Sequence, residues 1–145
     1  MLVVDANVLV YAANEDSPYH AGCRSWLERQ SSRTDAWYTT WPILYEFMRV
    51  TTHRRVLPRP LSLANAWEFI AALLASPGLD VLVPTERHAD VAAQVLTELP
   101  HLSGNILHDA HTAILMREHG IRRVCTRDTE FHRFPFIEVV DPLQS

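Results

Sequence analysis

The sequence contains no lysine: all thirteen of its basic residues are arginine. Chemistry that requires a lysine is thereby excluded, whether a phosphate-binding P-loop, a Schiff base or a phosphate-clamping ammonium. A phosphate-accepting receiver domain falls with the same absence, and it also lacks the paired early acids that such a domain needs. Cysteine is scarce as well. Cys23 and Cys125 are too few and too far apart for a disulfide framework or a zinc cluster, so both are expected in the core of a protein from a reduced compartment. No stretch reaches the ~18 apolar residues of a membrane span. The N-terminus lacks a basic region, and Asp5 and Asn7 interrupt its apolar run, so no signal peptide is expected. A cytoplasmic location with no membrane partner follows. Positive charge is not in excess either: the formal net charge of −4 argues against a large basic nucleic-acid surface.

What is present describes one domain over residues 1–145, at 48% hydrophobic and long enough to bury a full core. The apolar run 1–4 reads as a strand buried on both faces, with Asp5 directly at its carboxyl end. A short helical turn is expected after Asp5. Ser17-Pro18 then looks like a helix start, with Ser17 as cap and a helix over 19–33. A strand is expected at 36–40, and Trp41-Pro42 opens a second helix to about residue 53. Ser62 caps a helix over 62–76, in which Trp67 and Phe69 read as packing residues. A buried strand is expected at 79–83, then a helix over 86–99 capped by Thr85. Another helix spans 106–119, stopped by Gly120, and strands at 122–126 and 137–140 complete the chain. Strands alternating with one or two helices imply an α/β architecture, a mostly parallel sheet with helices on both faces.

In such a sheet ligands sit outside the carboxyl ends of the strands. Asp5 and Asp128 fall at those ends, and Glu46 and Asp109 fall on helices that begin at the same edge, so the four acids can converge. Each has a blander reading: turn former, exposed helical acid, or complement to a helix dipole. Convergence changes the balance, because two carboxylates ~5 Å apart repel by roughly 3 kcal/mol at an effective dielectric near 20. Such a set calls for a counterion. All-oxygen ligands without a zinc-type Cys or His motif favour Mg²⁺ or Mn²⁺, and that arrangement suits phosphodiester hydrolysis. Without the four acids the chain is electrically balanced. Arg49, Arg54, Arg55, Arg59 and Arg127 are then the arginines expected near the active edge. His108 and His111 form an i, i+3 pair on one helix, but no third ligand for a zinc site is evident.

Four motifs in order carry a resemblance: Val4-Asp-Ala-Asn-Val-Leu-Val10, Leu44-Tyr-Glu-Phe47, Leu107-His-Asp-Ala110 and Thr126-Arg-Asp-Thr-Glu-Phe131. Together they resemble PIN-domain ribonucleases, and within them the VapC toxins of type II toxin–antitoxin systems. The resemblance implies a PIN-like α/β/α sandwich and a Mg²⁺- or Mn²⁺-dependent endoribonuclease. It further implies an RNA substrate, a homodimer, and inhibition by a cognate VapB-type antitoxin whose arginine reaches the acids. Carried over by position, Asp5, Glu46, Asp109 and Asp128 match the acidic quartet, Asn7 a polar position beside the first acid, and Thr126 a supporting hydroxyl. Glu130 stands where many members have a second Asp after the fourth acid, and His111 and Thr112 stand at positions usually small and apolar.

On this reading Asp5, Asp109 and Asp128 hold the principal metal, while Glu46 orients the attacking water or helps to bind a second ion. A non-catalytic PIN-like module that binds RNA or protein is the alternative. Trp37, Trp41, Tyr45, Phe134 and Phe136 are aromatic beyond what a small core obviously needs, and they serve either packing or a partner surface.

Overall fold

Three-residue apolar strands, each too short to cover itself, form one sheet in a computed structural model that describes residues 1–144. The strands are β1 (Leu2–Val4), β2 (Trp37–Thr39), β3 (Leu79–Val81), β4 (Arg123–Cys125) and β5 (Glu138–Val140). Their order is β3-β2-β1-β4-β5, and each neighbouring pair is parallel. The central strand β1 is buried along its whole length, as its unbroken Leu-Val-Val run requires.

Six helices fill the connections: α1 (Ala6–Ala13), α2 (His20–Ser31), α3 (Trp41–Thr51), α4 (Leu63–Leu74), α5 (His88–Glu98) and α6 (Ile106–His119). From β1 the chain steps outward through β2 to β3, then returns past β1 to β4. Right-handed crossovers therefore place α1 to α4 on one face and α5 with α6 on the other. The reversal makes a topological switch point between β1 and β4, where two neighbouring strands send their chains in opposite directions and leave a crevice at their carboxyl ends.

Local chemistry sets the helix ends. The Thr40 hydroxyl accepts from the Ile43 N–H at 3.2 Å, with Pro42 just inside α3. Ser62 caps α4 through the Asn65 N–H. Gly120, at φ 72°, ends α6 in the left-handed conformation that glycine adopts without penalty.

The architecture matches the α/β expectation, and several local expectations change. The turn after Asp5 is a full eight-residue helix, separate from the next. Ser17 does not cap α2: its hydroxyl accepts from the Tyr19 N–H in the preceding turn, and α2 begins at His20 without a side-chain cap. Thr85 likewise accepts from Arg87 in a turn, and α5 begins three residues later. β3 is an edge strand with an exposed Asp80 rather than a buried one, because only β2 pairs with it. Phe69 packs as expected, stacked on Phe47 at 4.8 Å, but Trp67 is largely exposed. Trp37 and Phe134 belong to the core, whereas Trp41 and Tyr45 are exposed. Both cysteines are free and buried, as expected. Among the described residues no helix is long and apolar enough to cross a membrane.

Gly78 is fixed by packing. A Cβ there would lie 2.1 Å from the Asp35 carbonyl oxygen, while the Gly78 carbonyl accepts from the Trp37 N–H at 3.0 Å. Gly78→Ala is expected to lower stability by about 1–3 kcal/mol through this overlap. Urea denaturation will register it as a lower midpoint at unchanged slope.

Candidate active site

The first and last acidic motifs are tied together at the switch point. Asp5 is the N-cap of α1: its Oδ1 accepts from the Ala6 N–H at 2.8 Å. Its Oδ2 accepts from the Thr126 hydroxyl at 2.9 Å and from Asn7 Nδ2 at 3.1 Å. The Thr126 oxygen in turn accepts from Asn7 Nδ2 at 2.7 Å and from the Asp128 N–H at 3.0 Å. Asn7 Oδ1 closes the set by accepting from the Arg127 N–H at 2.9 Å. One hydroxyl and one amide thus join the carboxyl ends of β1 and β4. They also fix the backbone on either side of Asp128, which caps the following 3-10 turn through the Glu130 N–H.

Beside this lock lies a cleft of about 400 Å³ lined by Asp5, Glu46 and Asp109, with Tyr45, Arg49, His108 and His111 at its walls. Burial, followed by hydrogen bonds from Ala6 and Thr126 that act against it and by repulsion from Glu46 and Asp128, leaves the Asp5 carboxyl raised to about 6. Asp109 is raised to about 7, again first by burial and then by the charges of Asp5, Asp128, Glu46 and Glu130. Glu46 and Asp128 are thus close enough to act on both Asp5 and Asp109. Arg49 places its guanidinium 3.7 Å from Glu46 on the exposed face of α3. Among the described residues no three His, Cys, Asp or Glu side chains draw together as a ready-made metal cage. The donor set is nonetheless of the hard, all-oxygen kind that suits Mg²⁺ or Mn²⁺.

Comparison with known proteins matches the PIN domain model to residues 2–137. The chain belongs to the PIN-domain family. It is 38% identical to Ribonuclease VapC37 of Mycobacterium tuberculosis over 134 residues, 92% of each chain. It is 37% identical to Ribonuclease VapC43 of the same organism over 143 residues, 99% of this chain and 96% of the other. Its fold is similar to a crystal structure of VapBC2 from Rickettsia felis bound to a promoter DNA fragment, with a TM-score of 0.67 over 96% of both chains at 14% identity.

Within this PIN domain the expected residues divide. Asp5, Asn7 and Thr126 are one hydrogen-bonded unit, and Glu46 and Asp109 share the cleft with Asp5. Asp128 does not line that cleft but is half-buried and charge-coupled to both Asp5 and Asp109. Glu130 is exposed and paired with Arg133 at 3.3 Å, and its charge is among those that raise Asp109. Of the five arginines expected at the active edge, only Arg49 lines the cleft. Arg59 pairs with Asp16 at 2.8 Å, and Arg127 pairs with Asp141 at 2.9 Å while covering the Tyr19 ring. His108 and His111 both line the cleft. Burial, then the neighbouring His88, lowers the His111 value.

A group that the sequence pattern does not single out stands behind His111. Glu118, only 2% exposed, accepts from the Thr85 N–H and from His88 Nδ1, the latter at 2.6 Å. Burial opposes its ionisation, but the Thr85 and His88 hydrogen bonds outweigh it and hold the carboxyl at about 2. An acid in the last turn of a helix ordinarily reads as solvated, and its partners lie some thirty residues away, so only the tertiary structure finds it.

The raised carboxyls have a consequence for stability. In metal-free protein the folded state keeps protons on Asp5 and Asp109 that the unfolded chain gives up near 3.9, so these groups favour folding less and less as pH rises from about 4 to about 7. Thermal melts in EDTA should show the wild type losing stability across that window relative to the Asp5→Asn/Asp109→Asn double variant. Parallel pH profiles for the two would contradict the shifts.

Proposed function

We propose that this chain is a VapC-type endoribonuclease that hydrolyses RNA phosphodiester bonds with the help of Mg²⁺ or Mn²⁺. The observation that carries this reading is the shared cleft of Asp5, Glu46 and Asp109, with Asp128 coupled to it by charge. Relatives named as VapC ribonucleases over almost the whole length support it.

In this proposal Asp5, Asp109 and Asp128 supply the oxygens for the principal ion, and Glu46, on the opposite wall from α6, accepts a hydrogen bond from the attacking water or assists a second ion. A divalent cation bound there supplies positive charge for the phosphate and activates water for in-line attack. Asn7 and Thr126 keep the Asp5 carboxylate in one orientation and occupy only part of its acceptor capacity. Arg49, only loosely paired with Glu46, is free to swing toward an incoming phosphate. Glu130 tunes the field and does not ligate.

The regulatory partner in this reading is a VapB-type antitoxin whose arginine enters the acidic cleft, in keeping with the VapBC2 assembly that this fold resembles. The exposed Trp41, Tyr45 and Trp67 belong to a partner face, and a homodimer is expected. The place of action is the cytoplasm, where RNA is available and two free cysteines stay reduced. A non-catalytic module is the rival, favoured by the lack of a ready-made three-ligand cage among the described residues.

Cleavage of total RNA separates the two. The chain should cut with Mg²⁺ or Mn²⁺, and EDTA or Asp5→Asn should each reduce the rate by about 100-fold or more. Products should carry a 5′-phosphate, since water is the nucleophile. Activity indifferent to both treatments, or cyclic phosphate ends from attack by the ribose hydroxyl, would overturn the reading.

A further inference from the structure

Three acids set the charge of the cleft, and its other polar lining comes from Tyr45, Arg49, His108, His111 and Thr112. Asp5, Glu46 and Asp109 only accept hydrogen bonds when ionised, and Arg49 stands beside Glu46. His108 also lines the cleft but is exposed to solvent. His111 differs. It is half-buried, its ring packs edge-on against the His88 ring at 6.1 Å and 62°, and among the described residues it makes no hydrogen bond of its own.

Behind it the chain maintains an expensive feature. Glu118 is a carboxylate in the core, at a helical position where an apolar residue would pack at no electrostatic cost. A carboxylate only accepts, so the 2.6 Å contact fixes the proton of His88 on Nδ1 and fixes the ring plane. Arg87 donates to the Glu118 carbonyl oxygen, and His119 Nε2 meets the Val83 carbonyl at 2.8 Å, so the segment carrying His88 is stitched to α6 on both sides. The result is a rigid series from the core to the cleft: Glu118, His88, His111.

We propose that His111 contacts the substrate, donating a hydrogen bond to the RNA backbone in the cleft, and that Glu118 and His88 are positioning residues that hold its ring for that contact. This rests on the proposed ribonuclease function, and it assigns to the cleft a neutral donor whose ring is backed by a second ring and a buried carboxylate. A purely structural role for the Glu118–His88 pair would stabilise the connection before α5 without any dependence on His111.

The test measures binding of a labelled single-stranded oligoribonucleotide in EDTA by fluorescence anisotropy, beside thermal melts and cleavage kinetics with Mn²⁺. His111→Phe keeps an aromatic edge on His88 and removes the donor, whereas His111→Gln restores one. His88→Gln keeps a donor for Glu118 and removes the ring behind His111. His111→Phe should weaken metal-free binding about tenfold and raise KM in step while kcat holds, with His111→Gln recovering part of the loss. His88→Gln should weaken binding about threefold alone and not at all in the His111→Phe background. Unchanged binding by a folded His111→Phe variant overturns the proposal, as does an equal effect of His88→Gln in both backgrounds or a wild type that binds no RNA. A wild type that cuts RNA while His111→Phe behaves identically would sink this inference alone. A wild type that binds RNA with this His111 dependence, yet fails to cut it in Mg²⁺ or Mn²⁺, would sink the nuclease reading alone.

Discussion

The Asp5 carboxylate, held at the seam between β1 and β4, is the constraint on which the acidic edge depends. Both of its oxygens are occupied by uncharged donors: a backbone N–H, a threonine hydroxyl and an asparagine amide. Those bonds orient the group and satisfy its burial, but they bring no positive charge. Two of the arginines expected at this edge are committed elsewhere, Arg127 to Asp141 and Arg59 to Asp16. The carboxyls at this edge are therefore left largely without a cation, and burial, followed by repulsion from neighbouring acids, raises Asp5 and Asp109.

Topology explains why the remaining acids arrive. Because β1 is central and the chain reverses direction across it, the loops after β1 and β4 leave a crevice at one edge of the sheet. α3 and α6 begin at that edge, and each carries an acid within its first two turns. The acids are thus presented from two strand ends and two helix starts, elements whose positions the core fixes independently of any ligand. Thr126 shows how tightly the sheet and site are joined: one hydroxyl donates to Asp5 and accepts from both Asn7 and the Asp128 backbone.

Much of this was legible in the sequence, because the signals concerned were local. The apolar run of β1 ending in Asp5, the Thr40-Trp-Pro start of α3 and the glycine stop of α6 each act within a few residues of themselves. What local pattern does not contain is neighbourhood. The order of the strands, and hence the exposure of β3 at an edge, follows from pairings between segments some forty residues apart. Ser17 and Thr85 have the chemistry of caps but spend it on turns, since the helices behind them start where packing allows. Arg59 and Arg127 read as phosphate ligands until their acidic partners come into contact. Glu118 is the extreme case, an ordinary helical acid by position that becomes a buried anion only when the 85–88 segment folds over it.

The site reading turns on whether the acidic edge takes up a divalent cation, and calorimetric titration of Mn²⁺ into the metal-free protein at about pH 8, above the raised carboxyl values, measures that most directly. Wild type should bind at about millimolar affinity or tighter, and Asp5→Asn should lose at least about tenfold in affinity while melting as a folded protein. A folded wild type that takes up no Mn²⁺ at millimolar concentration would contradict it.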